Sequence, residues 1–122
     1  MQEEASPASS EILRAGRLEI RPREFAVLVD GRPLALTVRE LELLTAFARR
    51  PERIVAREEL YAVVWGQPFQ KRDRSVDVYV AKLRLKLERE LPDWRYIHTH
   101  FGFGYRFSPE PLQLFHKSAT GR

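Results

Sequence analysis

The chain has 122 residues, with 21 Lys+Arg against 17 Asp+Glu, a formal net charge of +4 and a pI near 9.8. That is one domain of ordinary size with short tails, and at 43% hydrophobic it has the side chains to fill a core. It has no cysteine, which excludes disulfide scaffolds, cysteine zinc sites and cysteine nucleophiles. No apolar run approaches the roughly 20 residues that span a bilayer. Met1–Ser10 lacks the basic-then-apolar pattern of an export signal, so a cytoplasmic protein is expected.

The charge is uneven. Met1–Ala48 carries 6 basic and 8 acidic residues, net −2, whereas Arg49–Arg122 carries 15 and 9, net +6. Such asymmetry fits a polyanion met by the C-terminal part. In chain order, residues 1–12 are small, polar and acidic and read as a flexible tail or linker. The folded unit is expected over 13–108. Leu18-Glu19-Ile20 alternates, and Phe25–Val29 is a short β-prone run. Asp30-Gly31 then makes a hairpin turn, and Arg32–Leu36 returns. Pro33 belongs where a missing N–H is harmless. A small antiparallel sheet of three or four strands follows from this pattern.

Thr37-Val38-Arg39-Glu40 is a capping box, with Leu36 and Leu41 at the two staple positions. The helix it opens carries Leu41, Leu44 and Ala48 inward, widened by Leu43 and Phe47, and stops before Pro51. Ile54-Val55 is extended. A second helix is predicted over Arg57–Trp65, with Leu60, Val63 and Val64 on one face and Gly66 past its end. Gly66–Arg72 is a loop. Asp73 can cap a third helix reaching Glu90, whose Val76, Val80, Leu83 and Leu87 lie within about 60° of one another. Tyr96–Phe101, Gly102-Phe103-Gly104 and Tyr105–Phe107 read as strand, turn and strand. Residues 109–122 form a tail with an apolar knot at Leu112, Leu114 and Phe115.

The third helix turns Arg74, Val78, Ala81, Lys82 and Leu85 away from its apolar seam, and Lys71–Glu90 has 7 basic and 4 acidic residues, net +3. Arg and Lys donate to guanine edges or phosphates, and Val78 and Ala81 offer methyl contact to thymine. A solvated face, or a surface for a partner protein anchored by Val78 and Leu85, would give a related pattern. Three helices followed by a two-stranded hairpin is a winged helix-turn-helix layout of α+β class, with an N-terminal antiparallel sheet, a three-helix core and a C-terminal wing.

Four blocks carry a more specific likeness: Leu36–Leu44; Val55–Leu60 closing with Val64-Trp65-Gly66; Arg74–Leu87; and Ile97-His98-Thr99 leading to Gly102–Phe107. In this order and spacing the chain resembles the OmpR/PhoB-type effector domain of bacterial response regulators, over about Leu18–Phe107. The resemblance implies sequence-specific binding to double-stranded promoter DNA and transcription regulation in a two-component system, often as tandem dimers on direct repeats. It implies base reading at or beside Arg74, Asp77, Val78 and Lys82, and backbone contacts from Arg57, Trp65, Ser75, Tyr79, Arg84 and Thr99. It makes Phe101, Gly102, Phe103 and Arg106 the wing contacts, and Gln67, Pro68, Phe69, Gln70, Lys71 and Arg72 the loop that touches RNA polymerase. At this length there is no room for the receiver domain that usually accompanies such a unit, so either an excised effector domain or a standalone regulator is expected.

The chain departs from that family's habit at several positions. Phe101 stands where an arginine commonly meets the minor groove, His100 where an apolar residue is usual and Tyr79 where histidine is frequent. Ala81 lacks a phosphate-contacting side chain, Ala56 offers no capping oxygen and Glu52 replaces a common glycine. His98 and His100 share a strand face, but without further ligands a metal site is not expected. Glu58-Glu59 and Glu88/Glu90 are carboxylate pairs of the kind helices carry routinely, and no nucleophile triad can be assembled around Ser75. No enzyme, cofactor, small-molecule substrate or membrane partner is therefore expected. The rival to DNA binding is a winged-helix module that binds other proteins.

Overall fold

Local turn chemistry sets the first layer of the computed structural model, which describes residues 11–112. Most of the expected N-terminal tail, and the tail segment 113–122 with Leu114 and Phe115, lie outside the described residues. Strands β1 (Leu13–Ala15), β2 (Leu18–Arg21), β3 (Ala26–Val29) and β4 (Arg32–Pro33) form an antiparallel sheet in that order. Leu18 pairs with Val29 and Ile20 with Val27, so one face presents Leu18, Ile20, Val27 and Val29 to the core. Pro33 sits in the edge strand, where no ladder needs its N–H.

Two expectations for this region are corrected. Phe25 does not begin the strand. It follows a 3-10 turn over Pro22–Glu24, takes a left-handed conformation with φ 52°, and is 71% exposed. The return strand stops at Pro33, although the Leu34 N–H still donates to Val27 O at 2.8 Å.

Helix α1 (Val38–Ala48) opens as its sequence dictates. The Glu40 N–H donates to Thr37 Oγ1 at 3.2 Å and the Thr37 N–H to Glu40 Oε1 at 2.9 Å. Leu41, Leu43, Leu44 and Phe47 are buried, and Leu36 packs partly against the core. After β5 (Ile54–Val55), α2 (Arg57–Trp65) begins at Ala56 with no side-chain cap and ends at Gly66, φ 69°. Its buried side chains are Leu60, Tyr61 and Val64. Val63, expected inside, is 47% exposed. At 100° per residue it lies about 100° from the centre of that stripe, and Tyr61 takes the inward place.

Helix α3 (Ser75–Glu90) starts after Arg74, not at Asp73. Asp73 Oδ1 instead accepts the Ser75 N–H at 2.7 Å, a side-chain turn one step ahead of a cap. Strands β6 (Trp94–His100) and β7 (Gly104–Pro111) form the wing, with β5 pairing on β7. Both run further at their outer ends than the sequence pattern indicated. The added residues pack in turn: Trp94 stacks on Tyr96, Tyr96 on Phe107 and Phe107 on Phe47, and Ser108 is buried. Tyr96 Oη also accepts the Arg17 N–H at 2.9 Å, which ties the wing sheet to the β1–β2 turn.

Candidate nucleic-acid interface

Helix α3 divides cleanly into two edges. Val76, Val80, Leu83 and Leu87 are each no more than 3% exposed. Arg74, Val78, Ala81, Lys82 and Leu85 all face solvent, with Val78 at 47% and Leu85 at 50%. The phase of the apolar seam thus fixes which side chains an outside partner can reach.

The outward residues differ in how free they are. Lys82 Nζ lies 4.7 Å over the Tyr79 ring, so a flexible cation is held near the middle of the helix by a cation–π contact. Tyr79 meets Trp65 edge-on at 5.6 Å, and Trp65 stacks on Tyr61 at 5.2 Å. Arg39 covers Trp65 at 4.9 Å and donates to Val64 O at 2.8 Å. Phe69 of the loop meets Tyr61 edge-on at 5.6 Å. The neighbouring Asp73 carboxylate raises the Tyr61 phenol pKa. The same carboxylate holds Ser75, and hydrogen bonds from the Ser75 side chain and backbone hold Asp73 below its ordinary value. One aromatic row therefore fixes the 66–72 loop and the α3 N-terminus as a unit. Around Phe69, Gln67, Pro68, Gln70, Lys71 and Arg72 are exposed.

Asp77 is turned back onto the domain. It accepts the Tyr105 hydroxyl at 2.5 Å and lies 3.5 Å from Arg57 and 3.8 Å from Arg74. Burial first, and the Asp77 bond second, push the Tyr105 phenol up to about 12. Asp77 thus joins α3 to the wing and gathers two guanidinium groups. Arg84 is also engaged: its Nη2 donates to Ile97 O and to Thr99 Oγ1, both at 3.0 Å. Thr99 accepts there and keeps its own O–H to donate outward.

The wing tip is a tight turn in which the Phe103 N–H donates to His100 O at 2.9 Å, with Gly102 at φ 83°. Phe101 is 88% and Phe103 73% exposed. Arg106 Nε donates to His100 Nε2 at 3.1 Å. His98 Nε2 lies 2.9 Å from Ser108 O and 3.8 Å from Glu110 Oε2. Among the described residues no group of three or more His, Cys, Asp and Glu could hold a metal ion. Between the wing tip and the α3 N-terminus lies a cleft of about 440 Å³, walled by Arg57, Lys71, Asp77 and Phe101 among others.

The sequence pattern singled out Arg74, Val78 and Lys82, and the fold brings them onto one open face with the wing beside it. It had no means to find Tyr61, Arg39 or Tyr105 as supports, since each meets its partner across the fold. Among the described residues no helix is long and apolar enough to cross a membrane.

Comparison with known proteins agrees with this geometry. The family model described as "Transcriptional regulatory protein, C terminal" matches residues 31–107. The alkaline phosphatase synthesis transcriptional regulatory protein SphR of Synechococcus elongatus is 38% identical over 95 residues, covering 78% of this chain and 37% of that protein. The phosphate regulon transcriptional regulatory protein PhoB of Escherichia coli is 38% identical over 101 residues, covering 83% and 44%. The chain thus spans less than half the length of these curated relatives. The crystal structure of the Klebsiella pneumoniae RstA DNA-binding domain in complex with the RstA box is similar at a TM-score of 0.72 and 30% identity, covering 80% of this chain and 97% of that one. The family is one of transcription regulators, not of enzymes. The chain belongs to the C-terminal, DNA-binding effector domains of the OmpR/PhoB-type transcriptional regulators.

Proposed function

We propose that this domain binds double-stranded promoter DNA in the cytoplasm, with α3 in the major groove and the wing over the neighbouring backbone and minor groove, and so regulates transcription. The observation that carries this reading is the division of α3: four apolar residues hold one edge inside, and Arg74, Val78, Ala81 and Lys82 stand open on the other. Lys82 and Arg74 supply donors for base edges, and Val78 and Ala81 supply methyl groups. Asp77 acts beside them, by holding Arg57 and Arg74, more than by facing a base itself. Trp65, Ser75, Tyr79 and the Arg84–Thr99 pair stand where phosphates flanking the groove would pass. The RstA complex with its DNA box supports the reading by likeness of fold. The exposed Gln67–Arg72 loop, stiffened through Phe69, offers a surface for RNA polymerase, and direct-repeat sites would seat two copies in tandem.

Salt titration tests the reading. Affinity for random duplex should fall steeply as salt rises, with a log–log slope of roughly −4 to −7 for about 4–8 neutralised phosphates. Selection from a random DNA pool should then return a motif and its half-site spacing. No binding at low salt would defeat the reading and leave α3 as a protein-binding face anchored on Val78 and Leu85.

A further inference from the structure

Two large apolar side chains stand in water at the wing tip, where a surface turn is ordinarily polar. Phe101 is 88% exposed and Phe103 73%, on either side of Gly102. The tip beneath them is not loose. The turn is closed by the Phe103 N–H on His100 O. Immediately after it, Gly104 lies so close to β5 that a Cβ there would fall 2.1 Å from Val55 O. Arg84 of α3 clamps the other strand through Ile97 O and Thr99 Oγ1. The two rings are therefore carried at a fixed place beside α3, across a cleft whose walls include Arg57 and Lys71.

We propose that Phe101, backed by Phe103, is an apolar wedge that enters the minor groove next to the α3 contact, opens one base step and bends the duplex. This rests on the DNA-binding reading above. A duplex minor groove is about 6 Å wide and 7.5 Å deep, with sugar walls that suit an aromatic ring. Apolar side chains inserted there part the stack and kink DNA toward the major groove. The flanking cations hold the phosphates, so the wedge itself neutralises none. It also becomes a specificity element, because pyrimidine–purine steps open most readily, whereas a cationic side chain at the same place would favour a narrow A-tract groove.

The test uses the full chain and a duplex recovered by selection from a random pool, labelled at both ends so that energy transfer reports the bend. F101A should lose about tenfold in affinity, equivalent to ~1.4 kcal/mol, with the salt slope and melting temperature unchanged and the bend abolished. F103A should lose less. F101R should regain affinity with a salt slope steeper by about 0.9, and its selected sites should shift from a pyrimidine–purine step to an A-tract. Parental affinity and bend in F101A would overturn the proposal and leave the tip to a protein partner. Weakened binding with an unaltered bend would overturn the wedge equally. A parent chain that fails to bind any duplex at low salt would defeat the DNA reading and the wedge with it, whereas binding without a Phe101-dependent bend defeats the wedge alone.

Discussion

The two hairpin tips of this domain each turn on a glycine and differ in purpose. Gly31 and Gly102 both sit at φ 83°. Before Gly31 stands Asp30, itself at φ 51° and held by the Arg17 guanidinium. Before Gly102 stands Phe101, almost wholly in water. Asp30 spends its side chain on Arg17 of the neighbouring turn. The wing does the reverse: its root is fixed by Gly104, Tyr105 and Arg84, and its tip is left bare. Rigidity and vacancy together mark a contact surface, and neither does so alone.

Breaking the root should have the largest effect. Gly104 combines φ 140° with backbone contact on Val55 and Ala56, so neither space nor conformation admits a side chain. Gly104→Ala should cost about 3–5 kcal/mol by chemical denaturation and should weaken DNA binding even where folding is retained at low temperature. Gly102→Ala, with open space around it but φ 83°, should cost distinctly less. The α3 seam comes next. Leu83 is fully buried, and Leu83→Ala should destabilise by about 2–5 kcal/mol. Its neighbour Lys82 should behave in the opposite way. Lys82→Ala should leave stability within about 0.5 kcal/mol and cost about 1–3 kcal/mol on a specific site, with one base position relaxed. A uniform loss across all sequences would make Lys82 a phosphate contact.

Local patterns in the sequence carried the parts of the fold that local physics decides. The Thr37/Glu40 box, the Asp30-Gly31 turn, the Gly66 cap and the α3 seam each depend on residues within about one helical turn or one hairpin loop. The departures arise at a local 3-10 turn and where a partner further along the chain outweighs local preference. Phe25 is β-prone by type yet lies left-handed after a 3-10 turn. Val63 lost its inward place to Tyr61, whose ring is drawn in by Trp65 and Phe69. The candidate site divided in the same manner. Helical phase was enough to say that Arg74, Val78 and Lys82 face outward. It could not say that Asp77 and Arg84 are already occupied, because Tyr105 and Thr99 lie 28 and 15 residues away.

A long-range ion pair offers a milder test of how α3 is held. Glu40 is 2% exposed and accepts from Lys86 Nζ at 2.7 Å as well as from the Thr37 N–H. Burial alone would raise its pKa, but the Lys86 and Thr37 bonds outweigh it and hold the carboxyl below the ordinary 4.5. A carboxylate depressed in the folded state stabilises fully above its unfolded pKa, and that stability is lost as pH falls through the native value. Stability should therefore decline below about pH 4.5, and Glu40→Gln should flatten that part of the curve while costing about 1 kcal/mol at neutral pH.

The smallest effect belongs to the first hairpin tip, and it closes the comparison between the two. Asp30 and Arg17 are both washed by solvent, where ion pairs contribute little and are screened by salt. The Arg17 hydrogen bond does lower the Asp30 pKa, so the pair is formed at neutral pH. The turn conformation does not depend on it, since Gly31 already accepts its angle and the Asp30 N–H donates to Arg17 O at 3.2 Å. Asp30→Asn keeps a residue that tolerates the left-handed region while removing the charge. It should leave both the melting temperature and DNA affinity at parental values, measured side by side with Phe101→Ala. Were Asp30→Asn to weaken DNA binding as much as Phe101→Ala, the first tip would be part of the contact surface, and the pairing of a tip's side chain within its own sheet would no longer distinguish a structural turn from a binding one.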